Sequence, residues 1–354
     1  MLRLLRRRSP LHALAPAPTL PDRTLPMPTN EKPLVVLDGY TANPGDLGWD
    51  GLDKLGPLTV YDRTPPEKTV ERASGAALLF TNKTALPAEV IEALPKLEYI
   101  GLLSTGYDVA DIEAAAARGI PVSNVPAYST DSVAQLTFAH LTNLAQRVAH
   151  HAETVRAGQW AESVDFAYWN TPQVELAGRT LGVVGLGRIG QAVADIGNAF
   201  GMDVIAYNPS EKDVPGVEQV TLDRVFEESD AVTLHCPLTP DNHGLVDAER
   251  LAQMKETAFL VNTARGALID EQALRDALED EAIAGAGLDV LSQEPPPADH
   301  PLTDAPSCFV TPHVAWATRA ARSRLMQTLV ENAEAFLDGR PQNVVNDVRA
   351  GVVK

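Results

Sequence analysis

The sequence predicts an α/β protein built from two doubly wound parallel-sheet domains. Three observations predict it. Short apolar runs alternate with helical stretches twice along the chain, a long amphipathic stretch separates the two alternations, and 354 residues exceed what one ordinary core encloses.

In the first alternation PLVVLDG (33–39), LTVY (58–61), AALLF (76–80), YIGLL (99–103) and PVSN (121–124) are apolar and bounded by turn residues, so they read as strands. Between them PAEVIEAL and ADIEAAAARG read as helices, the second closed by Gly119 as a C-cap. From Thr130, SVAQLTFAHLTNLAQRVAHHAETV places apolar residues three and four apart over several turns, which predicts one long amphipathic helix. The second alternation follows: RTLGVVG, MDVIAY, DAVTLHC, AFLVNT, AGAGLDV and CFVTP each read as a buried strand. AARSRLMQTLVENAEAFLDG then reads as a C-terminal helix that returns to the first unit. The expected organisation is a disordered extension over 1–32, one domain from 33–126 and 313–346, and a second over 127–312 that includes the long helix and the loop after it. No repeat of solenoid length is present.

Composition narrows the function classes. Hydrophobic residues make up 45% and charged residues 21%, as in soluble globular proteins. A formal charge of -18 argues against nucleic acid and anionic membrane surfaces as partners, because neither polyanion is drawn to such a field. Cys236 and Cys308 are the only cysteines, with no CxxC pair, so a disulfide framework or a structural zinc is not expected and a cytoplasmic setting is. No run reaches the ~18 apolar residues of a membrane span. The first 26 residues set Arg3, Arg6, Arg7, Arg8 and Arg23 against Asp22 alone, and Pro10, Pro16, Pro18, Pro21 and Pro26 interrupt them. This reads as an extension or an upstream start before Met27, with organelle targeting as the alternative.

VVGLGRIGQAVADIGNAFG (183–201) holds Gly185, Gly187 and Gly190 as GxGxxG after a strand and at the opening of a helix. In that context Gly185 permits the tight turn, Gly187 admits a pyrophosphate close to the backbone, and Gly190 lets helix and strand pack. Arg188 and Ile189 lie in the same turn, at a helix N-terminus that favours phosphate. At the end of the next strand, AYNPSEK (206–212) offers Asn208 where an NAD-binding chain usually carries an acid. An amide can bond ribose hydroxyls, yet it lacks the charge that repels a 2'-phosphate. The expected cofactor is NAD, with NADP the alternative through Ser210, Lys212 or Arg188.

NTARGALID (262–270), LDVLSQEPPP (288–297) and TPHVAWAT (311–318) each set a polar candidate just past a strand's carboxyl end, where open sheets of this class bind ligands. Taken singly, Arg265 reads as a surface ion-pair residue, Glu294 as a loop acid and His313 as a core histidine. Their joint placement favours a working site: a guanidinium fork suits a carboxylate, an imidazole can donate or take a proton, and a partner carboxylate can stabilise the imidazolium. These motifs, together with TGYDVADIEAAAARGIPVSNVPAYSTDSVAQ and FAYWNTPQVELAGRTLGVVGLGRIGQ, resemble the D-isomer-specific 2-hydroxyacid dehydrogenases over about residues 33–346, in the branch of glycerate dehydrogenases and hydroxypyruvate reductases.

The resemblance implies a flavodoxin-like substrate domain and a Rossmann cofactor domain, catalysis by Arg265, Glu294 and His313, and reversible reduction of hydroxypyruvate or glyoxylate. It also implies that Ser104, Thr105 and Gly106 hold the substrate carboxylate, that Lys83 approaches its far end, and that Asp289 fixes the nicotinamide amide. His235, Cys236 and Pro237 are expected on the adenine side, with Thr263 and Ala264 beside the cofactor. Trp316 reads equally as pocket lining or interdomain anchor. His150 and His151 read as a solvated helix face, since no metal-ligand spacing surrounds them. Trp160, Phe166, Tyr168 and Trp169 are expected to pack a homodimer interface. Formate dehydrogenases pair the histidine with glutamine, unlike Glu294 here. The rival from another class is a dinucleotide-sensing corepressor, whose relatives keep the same three motifs.

Overall fold

A computed structural model describes residues 31–348, so the expected extension over 1–32 lies outside the described residues but for its last two. The first sheet is formed by β1 (Leu34–Val36), β2 (Leu58–Val60), β3 (Leu78–Thr81), β4 (Tyr99–Leu102) and β5 (Val122–Ser123). All neighbours run parallel, in the order β2-β1-β3-β4-β5. Every residue of β3 and β4 is buried, which is why these strands read as unbroken apolar runs. The Arg319–Leu337 helix supplies Ala321, Leu325, Leu329 and Ala333 to one face of this sheet, against Leu34, Leu78 and Tyr99. Beyond it the chain caps the β5 edge, where the Val122 N–H donates to the Asn346 side chain and the Val345 N–H to the Val122 carbonyl.

The second sheet contains β6 (Thr180–Val184), β7 (Asp203–Tyr207), β8 (Val217–Gln219), β9 (Ala231–Leu234), β10 (Phe259–Asn262), β11 (Gly285–Leu288) and β12 (Cys308–Val310). It is parallel throughout, ordered β12-β11-β10-β9-β6-β7-β8, with apolar clusters on both faces. The order in which strands are added reverses between β6 and β9, and a crevice opens beyond the strand ends at such a switch point. β8 was not expected from the sequence. Its residues Val217, Glu218 and Gln219 are half-buried or exposed at the sheet edge, so no apolar run marks it.

The expected single helix after Thr130 is corrected to two, Thr130–Gln146 and Val148–Arg156. Arg147 between them adopts φ 50°, donates its N–H to the Asn143 carbonyl, and lays its guanidinium 4.7 Å from the Phe309 ring centroid. Its Nη2 also reaches the Ser307 hydroxyl at 3.1 Å. Tertiary contacts turn the chain there, while the apolar period continues on both sides and conceals the break. The Thr130–Gln146 helix packs Phe138, Leu141 and Leu144 into the core of the second sheet.

A candidate active site between the two sheets

The glycine turn is shaped for a dinucleotide. Gly185 has φ +100°, and a Cβ there would meet the Cys236 amide nitrogen at 2.7 Å. A Cβ on Gly190 would fall 2.0 Å from the Gly185 carbonyl, so helix and turn touch directly. Gly187 opposes nothing within 4 Å, leaving the space that a close approach by phosphate needs. Gly187 caps the Arg188–Ala199 helix with no side-chain acceptor and no acid in the first turn, so the terminal N–H groups face outward with the positive end of the dipole. Arg188 is exposed there and Ile189 half-buried.

At the end of β7, Asn208 accepts the Leu186 N–H at 3.1 Å and donates to the carbonyl and hydroxyl of Ser210. Its amide therefore braces the glycine turn. Lys212 Nζ donates to the Leu186 carbonyl at 2.8 Å, which brings a cation to the same place. His235, at the end of β9, keeps part of its surface open while both ring nitrogens are buried without a partner among the described residues. Burial lowers its pKa to about 3, so it is neutral and unsuited to proton transfer. Cys236 follows half-buried, its thiol pKa raised by burial, and Pro237 is exposed.

Three loops beyond β10, β11 and β12 carry the candidate catalytic groups. After β10 the buried Asn262 side chain accepts the Ala264 N–H and donates to the Arg265 carbonyl, folding the turn on which Arg265 stands exposed. Thr263 is buried and Ala264 half-buried beneath it. After β11, Asp289 is 1% exposed. It accepts the Thr311 hydroxyl at 2.6 Å, the Val314 N–H at 2.9 Å and the Ala315 N–H at 2.8 Å. Its own carbonyl accepts the His313 N–H at 2.9 Å. The expectation for Asp289 covered a cofactor contact alone, yet this carboxylate builds the turn that holds His313 at φ 53°. A non-glycine residue in that left-handed region needs such support.

His313 Nδ1 lies 2.6 Å from Glu294 Oε2, the two side chains being 29% and 34% exposed. Burial raises the Glu294 pKa, but the His313 hydrogen bond and charge, the Leu291 N–H and the Lys83 charge outweigh it, and the net shift is downward.

Loops of the first sheet face these groups. In the Ser104–Gly106 turn after β4, the Ser104 hydroxyl donates to the Gly106 carbonyl and the Thr105 hydroxyl to Val125. A Cβ on Gly106 would stand 2.9 Å from Arg265 Nη2, so the two domains meet at this point. Lys83 projects from the turn after β3, which Asp38 organises by accepting the N–H groups of Asn82, Lys83 and Thr84. Tyr128 is buried close to Arg265, and burial pushes its pKa upward against the Arg265 charge. Trp316 packs edge-on against Tyr128 with centroids 6.4 Å apart, half-buried on the first domain's core. Asp38 and Tyr128 lie in stretches that the sequence reading quoted, yet neither was singled out, because their partners, the 82–84 turn and Arg265, are remote in the chain.

The remaining candidates lie apart from this cleft. His150 pairs with Asn170 at 3.0 Å, and no group of three potential metal ligands occurs among the described residues. Trp160, Phe166 and Trp169 are exposed, Phe166 at 93%. Tyr168 departs from them, since its hydroxyl bonds Thr154 at 2.6 Å within the chain. No helix among the described residues is long and apolar enough to cross a membrane.

Comparison with known proteins identifies the family. Residues 138–315 match the family profile described as D-isomer specific 2-hydroxyacid dehydrogenase, NAD binding domain. The chain is 45% identical over 321 residues to a hydroxypyruvate reductase of Blautia hydrogenotrophica, covering 88% of this chain and 99% of that one. It is 43% identical over 288 residues to a glycerate dehydrogenase of Methylorubrum extorquens, covering 80% and 90%. Among solved structures, an NADPH-dependent glyoxylate/hydroxypyruvate reductase of Sinorhizobium meliloti, in complex with NADP and malonate, superposes with TM-score 0.77. It is 28% identical, and the match covers 90% of this chain and 98% of that one.

Proposed function

The chain belongs to the D-isomer-specific 2-hydroxyacid dehydrogenases, oxidoreductases that use a nicotinamide dinucleotide, and from that premise we propose that it reduces hydroxypyruvate and glyoxylate to D-glycerate and glycolate. The observation that carries this reading is the 2.6 Å His313–Glu294 pair, and the approach of Arg265 to the Ser104–Gly106 turn supports it. Arg265 and the turn's backbone N–H groups clamp the substrate carboxylate from opposite domains, and Lys83 meets its far end. His313 holds Nδ1 on Glu294, which leaves Nε2 to protonate the ketone oxygen as negative charge develops there. Glu294 stays ionised and stabilises the imidazolium.

A nicotinamide dinucleotide would supply the hydride; Gly185, Gly187 and Gly190 would seat its pyrophosphate, and Asp289 would meet its nicotinamide amide. NADH is the working cofactor, with NADPH accepted as well, because β7 ends without a carboxylate and Lys212 stands beside Asn208. The exposed Trp160, Phe166 and Trp169 cover one another in a homodimer, and the two free cysteines fit a cytoplasmic enzyme.

The test is oxidation of NADH and of NADPH by the purified protein with hydroxypyruvate, glyoxylate, pyruvate and phenylpyruvate. The expected result is turnover highest with hydroxypyruvate or glyoxylate, and kcat/KM for NADPH within about a hundredfold of that for NADH. No turnover with any of the four at high protein concentration overturns the enzyme reading in favour of a dinucleotide-sensing role.

A further inference from the structure

We infer that one face of the Thr130–Gln146 helix is the device that positions two of the three loops, those of Arg265 and His313, with His140 as its principal positioning residue. The inference rests on the reading of His313 as proton donor. Three polar side chains of this helix point at the strand ends. Ser132 Oγ donates to the Ala315 carbonyl at 2.5 Å, two residues beyond His313. Thr137 Oγ1 lies 3.0 Å from Thr263 Oγ1, two residues before Arg265. His140 Nε2 lies 3.0 Å from Thr311 Oγ1, two residues before His313.

The His140 contact has a defined polarity. Thr311 has a single hydroxyl proton, and its 2.6 Å contact with Asp289 Oδ1 uses it. Its oxygen can then only accept from His140, which fixes the proton on Nε2. His140 donates to Thr311, Thr311 donates to Asp289, and Asp289 receives the N–H groups of Val314 and Ala315 that flank the His313 turn. A neutral imidazole suits this role, and burial lowers the His140 pKa against the opposing charge of Asp289.

The sheet is cut to receive this residue. A Cβ on Gly287 of β11 would fall 2.7 Å from His140 Cβ and 2.9 Å from its Nδ1, and one on Gly285 would fall 2.8 Å from Leu144 Cδ2. Glycines at both positions bring the helix close enough for a side chain at 140 to reach the far end of β12. The helix that buries Phe138 and Leu141 in the cofactor domain thereby fixes the direction of the imidazole that meets the substrate.

His140→Leu keeps a similar volume and removes the donor, whereas His140→Gln retains an N–H where Nε2 stands. For reduction by holoenzyme, the expected result is a kcat about tenfold to a hundredfold lower in His140→Leu with KM for NADH unchanged, and recovery to within about threefold in His140→Gln. Thr311→Val breaks the same link without touching the helix, so adding His140→Leu to it should lower kcat no further. If His140→Leu fails to fold, Thr311→Val against Thr311→Ser gives the same comparison. A folded His140→Leu enzyme with wild-type kcat, while His313→Ala is inactive, overturns the inference and leaves the proton-donor reading standing. Activity retained in His313→Ala overturns both.

Discussion

Two of the histidines that stand before a carboxylate hold the ends of one strand-end loop, and their surroundings give them opposite work. His313 touches Glu294 directly, and both side chains keep about a third of their surface exposed. His140 is 4% exposed and reaches Asp289 only through the Thr311 hydroxyl. Burial disfavours charge on an imidazole and a neighbouring carboxylate favours it. On the proposed reading the direct contact serves proton donation by His313, whereas the buried, indirect contact supports a fixed, neutral donor at His140. The difference teaches that a His–acid constellation gains its chemistry from access, and that the same parts without access hold geometry.

The comparison is broken most severely at the open histidine. His313→Ala should lower kcat for reduction by about a hundredfold to ten-thousandfold, the range for loss of a general acid. Cofactor affinity, read by quenching of protein fluorescence, should stay at the wild-type value. Glu294→Gln keeps the shape and removes the charge. Loss of a charge-assisted hydrogen bond of about 1.5–3 kcal/mol predicts a fall in kcat of roughly tenfold to a hundredfold.

The same acid gives a pH signature. Its folded-state pKa is depressed, so its contribution to stability is present above the unfolded value of about 4.3 and is lost as pH falls through the lower folded value. The Tm difference between wild type and Glu294→Gln should therefore shrink as the buffer is taken below about pH 4.

The buried histidine sharpens the contrast with a smaller effect. The His140 pKa is lowered by burial, so the unfolded chain takes up a proton below about pH 6.5 that the folded chain refuses. Stability should decline as pH drops through that range, and His140→Gln should show a shallower decline in Tm between about pH 7 and pH 5.

The same contrast explains what could be read in advance. Arg265, Glu294 and His313 were legible because each lies just past a buried strand, and the order of strands in an open parallel sheet sends such positions to one crevice. The glycine turn was legible because Gly185 and Gly190 stand where a side chain would collide with backbone, and Gly187 keeps the space beside them open. β8 was not, since an edge strand with one apolar face carries little periodic signal. Nor was the break at Arg147, where Phe309 and Ser307 on a distant strand decide the turn. His140, Asp38 and the bracing role of Asn208 stayed hidden for a related reason. Each acts through partners remote in the chain, and a polar residue on a helix face or at a strand end gives no hint of which loop it will hold.

The central claim is that a 2-oxo acid lies between Arg265 of one domain and the Ser104–Gly106 turn of the other. Calorimetric binding of oxamate, an unreactive mimic of such an acid, to the NADH-loaded protein measures this most directly. Saturable binding that Arg265→Ala weakens by about a hundredfold or more, with NADH affinity unchanged, is the predicted result. Equal oxamate affinity in the wild type and Arg265→Ala would contradict it.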